Sequence, residues 1–97
     1  MPDEGEPPPP PPREVTIVNQ KGLHARAAAK FVRTAGAFAA QVEVVRDDMT
    51  AAGTSILGLM LLAAGIGTRL TLRAEGEDAA AALDALADLV GRGFDET

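Results

Sequence analysis

Polar and apolar residues alternate along Glu14-Val15-Thr16-Ile17-Val18-Asn19, with Val15 and Ile17 on one face. Such alternation predicts a half-buried β-strand. Gln41-Val42-Glu43-Val44 and Arg69-Leu70-Thr71-Leu72-Arg73-Ala74 repeat the pattern. Asp47-Asp48, between Val45 and Met49, predicts a hairpin turn into a short strand Met49–Ala52. Between the first two strands the period changes. Ala28, Phe31, Val32 and Ala35 form a helical stripe within His24–Ala37, while Arg26, Lys30 and Arg33 lie on another face. Alanines at 25, 27, 28 and 29 favour that helix. Ser55–Ala63 predicts a short apolar helix. Asp78–Val90 predicts a third, with Ala79, Leu83, Leu86 and Val90 inward, Asp78 as N-cap and Gly91 as stop.

The order is β-α-β-β-α-β-α. Clean alternation in the strands leaves one face of the sheet wet, so the helices must cover the other. The expected class is α+β: an open-faced two-layer sandwich with a four-stranded antiparallel sheet and three helices on one face. Residues 1–12, with all seven prolines and the acids Asp3, Glu4 and Glu6, cannot join that core and form a leader. Pro7–Pro12 should adopt a polyproline II rod of about 19 Å. The expected folded domain is 13–97.

Composition narrows the chemistry. The 97 residues contain no cysteine and one histidine, so disulfides, thiol chemistry and sites needing two imidazoles are excluded. The absence of cysteine fits a reducing compartment. The formal charge is −5, and beyond the leader nine basic residues face eleven acidic ones. With three phenylalanines as the only aromatics, nucleic-acid binding is not expected. The uncharged stretch Ile56–Gly67 is twelve residues long, short of the roughly 20 that span a bilayer. Neither a basic start nor an apolar run marks a secretory signal, and a cytoplasmic location is expected.

Asn19-Gln20-Lys21-Gly22-Leu23-His24-Ala25-Arg26 leaves a strand, turns at a glycine and opens a helix, which puts His24 at or beside the N-cap. The first N–H groups of a helix lack internal partners and carry roughly half a positive charge. A phosphoryl group on His24 would meet those donors, and Arg26 would add a planar cationic fork. Positive surroundings also favour the neutral imidazole, whose free lone pair is a nucleophile. The residues alone do not choose between the two ring nitrogens.

The run Gly22-Leu23-His24-Ala25-Arg26-Ala27-Ala28-Ala29-Lys30-Phe31-Val32 resembles the active-site segment of the histidine-containing phosphocarrier (HPr) family of the phosphoenolpyruvate-dependent phosphotransferase system. Thr54–Met60, Ala64–Thr68 and Ala74–Asp78 extend the likeness in order and spacing, over about Glu14 to Val90. The resemblance implies that His24 accepts phosphate on Nδ1 from phosphorylated enzyme I and passes it to an EIIA-type protein. Arg26 matches the family's active-site arginine. Ala27 stands where the family usually has proline, and Lys21 where many members have a small or polar residue.

Ser55 opens the short helix, where its hydroxyl can cap a free N–H. In many members of the family the matching serine is phosphorylated by HPr kinase/phosphorylase, which makes Ser55 a candidate regulatory site. The short helix carries more apolar side chains than one face can bury, so some must face outward as a partner surface. The resemblance puts Ile56, Leu57 and Met60 around His24 together with Arg26 and Arg33. No cofactor or metal is expected. Gly65-Ile66-Gly67 lacks the third glycine of a dinucleotide loop and precedes a strand. The primary expectation is a monomeric, stoichiometric phosphoryl carrier. The alternatives are a regulatory docking module controlled by Ser55, with little onward transfer, and a small acid–base enzyme using His24 and Arg26.

Overall fold

The computed structural model describes residues 8–96. The strands are β1 (Arg13–Thr16), β2 (Gln41–Arg46), β3 (Met49–Ala52) and β4 (Arg69–Glu75); the helices are α1 (Ala25–Ala35), α2 (Ile56–Leu61) and α3 (Ala79–Gly91). One antiparallel sheet runs in the order β1-β4-β2-β3, and this is the expected open-faced α+β sandwich. The last strand in sequence fills a central place in the sheet. Val44 on β2 and Arg13 on β1 both face Leu72 of β4 in the register.

The alternation places Val42, Val44, Leu70, Leu72 and Ala74 in the core, while Glu43 and Arg73 face water. Phe31 of α1 and Leu86 of α3 are sealed over them. The inner stripe of α3 is as expected. On α1, Ala27 is fully buried while Val32 is only partly so. The buried stripe of Ala27, Ala28, Phe31 and Ala35 is turned toward Ala27, which leaves Val32 at its edge.

Element ends differ from the sequence pattern in informative ways. β1 stops at Thr16, although Ile17 continues the pairing by donating to Thr68 O (2.9 Å) and accepting from Gly67 N–H (2.7 Å). Asp78 does not cap α3 with its side chain; Oδ2 accepts instead from Ala39 N–H at 2.8 Å and ties the α1–β2 connection to the start of α3. Gly91 does not stop α3. It is the last helical residue, and the left-handed residue that ends the helix is Gly93, at φ 67°.

Beyond it the chain makes a 3-10 turn, Gly93–Asp95, that the pattern of apolar positions did not announce. Phe94 and Asp95 are also left-handed, at φ 57° and 60°. That geometry costs roughly 1–2 kcal/mol for each residue with a Cβ. Burial of the Phe94 ring, which is 0% exposed, offsets the cost, since enclosing such a side chain contributes roughly 1.5–3 kcal/mol.

The expected leader–domain boundary meets the structure only in part. Met1–Pro7, with the first proline of the expected rod, lie outside the described residues. Pro9, Pro10 and Pro12 line a hollow against the wet side of the sheet with Gln41, Glu43 and Arg73.

Leu86 sits at the centre of the helix–sheet interface and is 0% exposed. Leu86→Ala should cost about 2–5 kcal/mol, seen as a lower urea midpoint with an unchanged denaturant slope.

Candidate functional site

The loop before α1 is fixed by backbone before any functional side chain is placed. Gly22 takes φ 65°, and a Cβ there would lie 2.3 Å from Ala64 O. Leu23 N–H donates to the same carbonyl at 2.9 Å. The loop is therefore pressed onto the segment after α2, and only glycine fits the contact. Leu23 is buried and anchors the turn.

His24 is the N-cap of α1, with extended backbone, and its Nδ1 accepts from Arg26 N–H at 3.3 Å. Its side chain is 28% exposed, so the ring is neither sealed nor adrift. Ala28 N–H donates to His24 O at 2.8 Å and closes the first helical turn. Ala27 is buried there without disturbing the helix. A hollow beside the ring is lined by Asn19, Gln20, Lys21, His24, Arg26 and Glu96. Arg26 and Lys21 thus share the ring's surroundings.

One partner of the ring was not foreseen. His24 Nε2 is in direct contact with Glu96 Oε2. The other carboxylate oxygen of Glu96 accepts from Asn19 Nδ2 at 2.9 Å, and the same amide donates to Gly22 O at 2.9 Å. Two acceptors fix the orientation of the Asn19 amide. Its Oδ1 stays buried and unpartnered among the described residues, at a cost of roughly 1–3 kcal/mol. The surroundings of the imidazole are therefore not the purely positive ones expected. Periodicity carries no signal for a contact across 72 residues; the only hint was a glycine-rich exit from α3 ending in acids.

The other candidates fall into separate places. Met60 lies with Lys21 and His24 around a second, smaller hollow at the far end of α2 from Ser55. Ile56, Leu57, Met60 and Leu61 are exposed, whereas Leu59 and Leu62 are core. Arg33 is not beside the ring. It lines a groove with Lys30, Thr34, Leu89, Arg92 and Asp95, two helical turns along α1. Ser55 is the N-cap of α2, its Oγ accepting from Gly58 N–H at 2.9 Å. Among the described residues no cluster of three or more His, Asp or Glu side chains gathers to hold a metal. No helix among them is long and apolar enough to cross a membrane.

An open-faced sandwich that offers one half-exposed, helix-capping histidine defines the phosphocarrier class, and comparison with known proteins agrees. Residues 12–92 match the family model described as the phosphotransferase-system HPr component phosphorylation site. The phosphocarrier protein HPr of Pseudomonas putida is 53% identical over 85 residues, covering 87% of this chain and 94% of that protein. The phosphocarrier protein NPr of Shewanella violacea is 48% identical over 84 residues, covering 87% and 92%. The crystal structure of HPr from Thermoanaerobacter tengcongensis superposes with a TM-score of 0.86 at 40% identity, covering 91% of this chain and 99% of that one. The chain belongs to the HPr family of the phosphotransferase system.

Glu96 is held below the usual carboxylate range, first by its hydrogen bond with His24 and then by that from Asn19, against the opposing effect of burial. Its contribution to stability is therefore present above the ordinary glutamate value of 4.5 and is lost as pH falls through the lower native value. The stability advantage of wild type over Glu96→Gln should shrink progressively as urea titrations are repeated below pH 4.5.

Proposed function

We propose that the protein is a phosphoryl carrier that cycles between His24 and His24 phosphorylated on Nδ1. The observation that carries this reading is the position of Nδ1 at the open end of α1, 3.3 Å from Arg26 N–H. In the proposed step the lone pair of Nδ1 attacks the phosphorus of phosphorylated enzyme I. The Nδ1–P bond forms as the donor's bond to phosphorus breaks, and the transfer reverses onto an EIIA-type protein. The N–H groups of the first turn and the Arg26 guanidinium offset the charge of the phosphoryl oxygens. A relay of this kind is stoichiometric, and the protein is not itself a turnover enzyme. It works as a cytoplasmic monomer.

Ile56, Leu57 and Met60 supply the apolar part of the docking surface in this reading, with Arg26 as its charged rim; Arg33, in the groove with Arg92 and Asp95, lies apart from it. Methionine and leucine side chains adapt to more than one partner. Ser55 is the proposed regulatory site for an HPr kinase/phosphorylase. Its hydroxyl lies beside exposed Ile56 and Leu57. A phosphate there adds about −1.5 to −2 charge and turns an apolar docking edge into an anionic one.

Incubation with enzyme I and phosphoenolpyruvate should add one acid-labile phosphate, detected by mass, and His24→Ala should lose it entirely. Acid-labile phosphate persisting on His24→Ala would remove His24 from the acceptor role. With the kinase and ATP, Ser55→Ala should lose an acid-stable phosphate that wild type gains.

A further inference from the structure

We propose that Glu96 is a positioning residue for His24: its carboxylate accepts the Nε2 proton, fixes the ring and leaves Nδ1 as the free nucleophilic nitrogen. This inference rests on the phosphoryl-carrier reading and names a device that serves it.

The proton assignment follows from the partners. Nδ1 accepts from Arg26 N–H, so Nδ1 carries a lone pair. An ionised carboxylate has only acceptors, so the ring proton between Nε2 and Glu96 is donated by Nε2. The two contacts hold opposite sides of one ring and select one tautomer.

The tail is built to deliver that carboxylate. Gly93, Phe94 and Asp95 are successively left-handed, an arrangement that persists only where surrounding contacts enforce it. The Phe94 ring is sealed in the core. Lys30 Nζ donates to Phe94 O at 2.7 Å, and Arg92 Nε donates to Asp95 Oδ1 at 2.9 Å. Asn19 then clamps Glu96 Oε1 while Oε2 meets the ring. Asn19 and His24 thus meet the Glu96 side chain, while Lys30 and Arg92 hold the two residues before it.

The chemistry gives the contact a use. When Nδ1 takes a phosphoryl group while Nε2 keeps its proton, the ring acquires positive charge. A carboxylate on Nε2 stabilises that charge as it develops, and the proton stays in the Nε2–Glu96 hydrogen bond throughout. Glu96 lies on the side of the ring away from the nitrogen that bonds phosphorus, so the carboxylate supports the ring and leaves the anion site to α1 and Arg26.

The test uses the full chain with 15N-labelled histidine, as wild type, Glu96→Ala and Glu96→Gln. At alkaline pH, long-range 1H–15N correlations should show wild-type Nε2 as the protonated nitrogen and Nδ1 as the lone-pair nitrogen. In Glu96→Ala both signals should move toward the mixed-tautomer values of free imidazole. Glu96→Gln should retain the tautomer, because its amide oxygen still accepts. The rate of phosphorylation by phosphorylated enzyme I should fall roughly tenfold or more in Glu96→Ala, with little change in the donor concentration at half-saturation. Glu96→Gln should fall between, having the acceptor without the charge. Superimposable ring spectra for wild type and Glu96→Ala would overturn the assignment, as would equal rates. Failure of wild type to take up phosphate would count against the carrier reading, and the ring spectra would still decide the role of Glu96.

Discussion

A helix must begin somewhere, and its first N–H groups have no partners within it. In this protein the residue that caps the first helix is an imidazole instead of the usual hydroxyl or carboxylate. Nδ1 of His24 occupies the place of a capping oxygen and accepts from Arg26 N–H. The ring is only as well placed as the turn that precedes it. Gly22 fixes that turn by lying against Ala64 O, which transfers the position of the segment after α2 to the ring. The buried core beneath α1 is largely alanine and Phe31, and it sets where that helix begins. A cap is a replaceable partner. Donors that satisfy an imidazole nitrogen in the resting protein can turn to anionic oxygens without rebuilding the helix.

The pairing of β4 between β1 and β2 has a consequence for the site as well as for the sheet. The elements around His24 come from distant parts of the chain: the β1–α1 loop, the exit of α2 and the turn after α3. The sheet brings them together, because α3 packs on β1 and β4. Contacts of such high sequence separation cost loop-closure entropy before they contribute. The site is thus assembled by the tertiary structure, and the strained turn at Gly93–Asp95 belongs to the same assembly. Two non-glycine residues in the left-handed region need an anchor, and Phe94 supplies it.

Most of the fold was legible because it rests on local rules. Alternation in Gln41–Val44 and Arg69–Ala74, the stripe of α3 and the glycine before His24 each follow from a period of 2 or 3.6, or from one backbone requirement. The place of the histidine was legible for the same reason: it depends on where a helix starts. What escaped was non-local. Asp78 could be named as a cap from its position, but its carboxylate is drawn to Ala39 N–H across 39 residues. Arg33 shares a helical face with Arg26, yet seven residues carry it about 10 Å along the axis and into the company of Arg92. Glu96 follows a turn whose left-handed geometry breaks both periods, so no pattern could aim its side chain.

The geometry also separates two side-chain caps. Ser55 and His24 each cap a helix, but Ser55 stands at the start of α2 and the ring lies near its end, beside Met60. α2 itself is six residues long, roughly 9 Å at 1.5 Å per residue. The two ends of a helix this long are about a Debye length apart at physiological salt, so the direct effect of a charge at one end on the other is weakened by screening. The effect of a charge at Ser55 on whatever covers Ile56 and Leu57 is not, because those side chains are adjacent. A charge at position 55 would therefore change the surface around Ile56 and Leu57, whereas Glu96 contacts the ring and Asn19 braces Glu96. The exposed apolar face of α2, formed by Ile56, Leu57, Met60 and Leu61, lies between the two capping side chains.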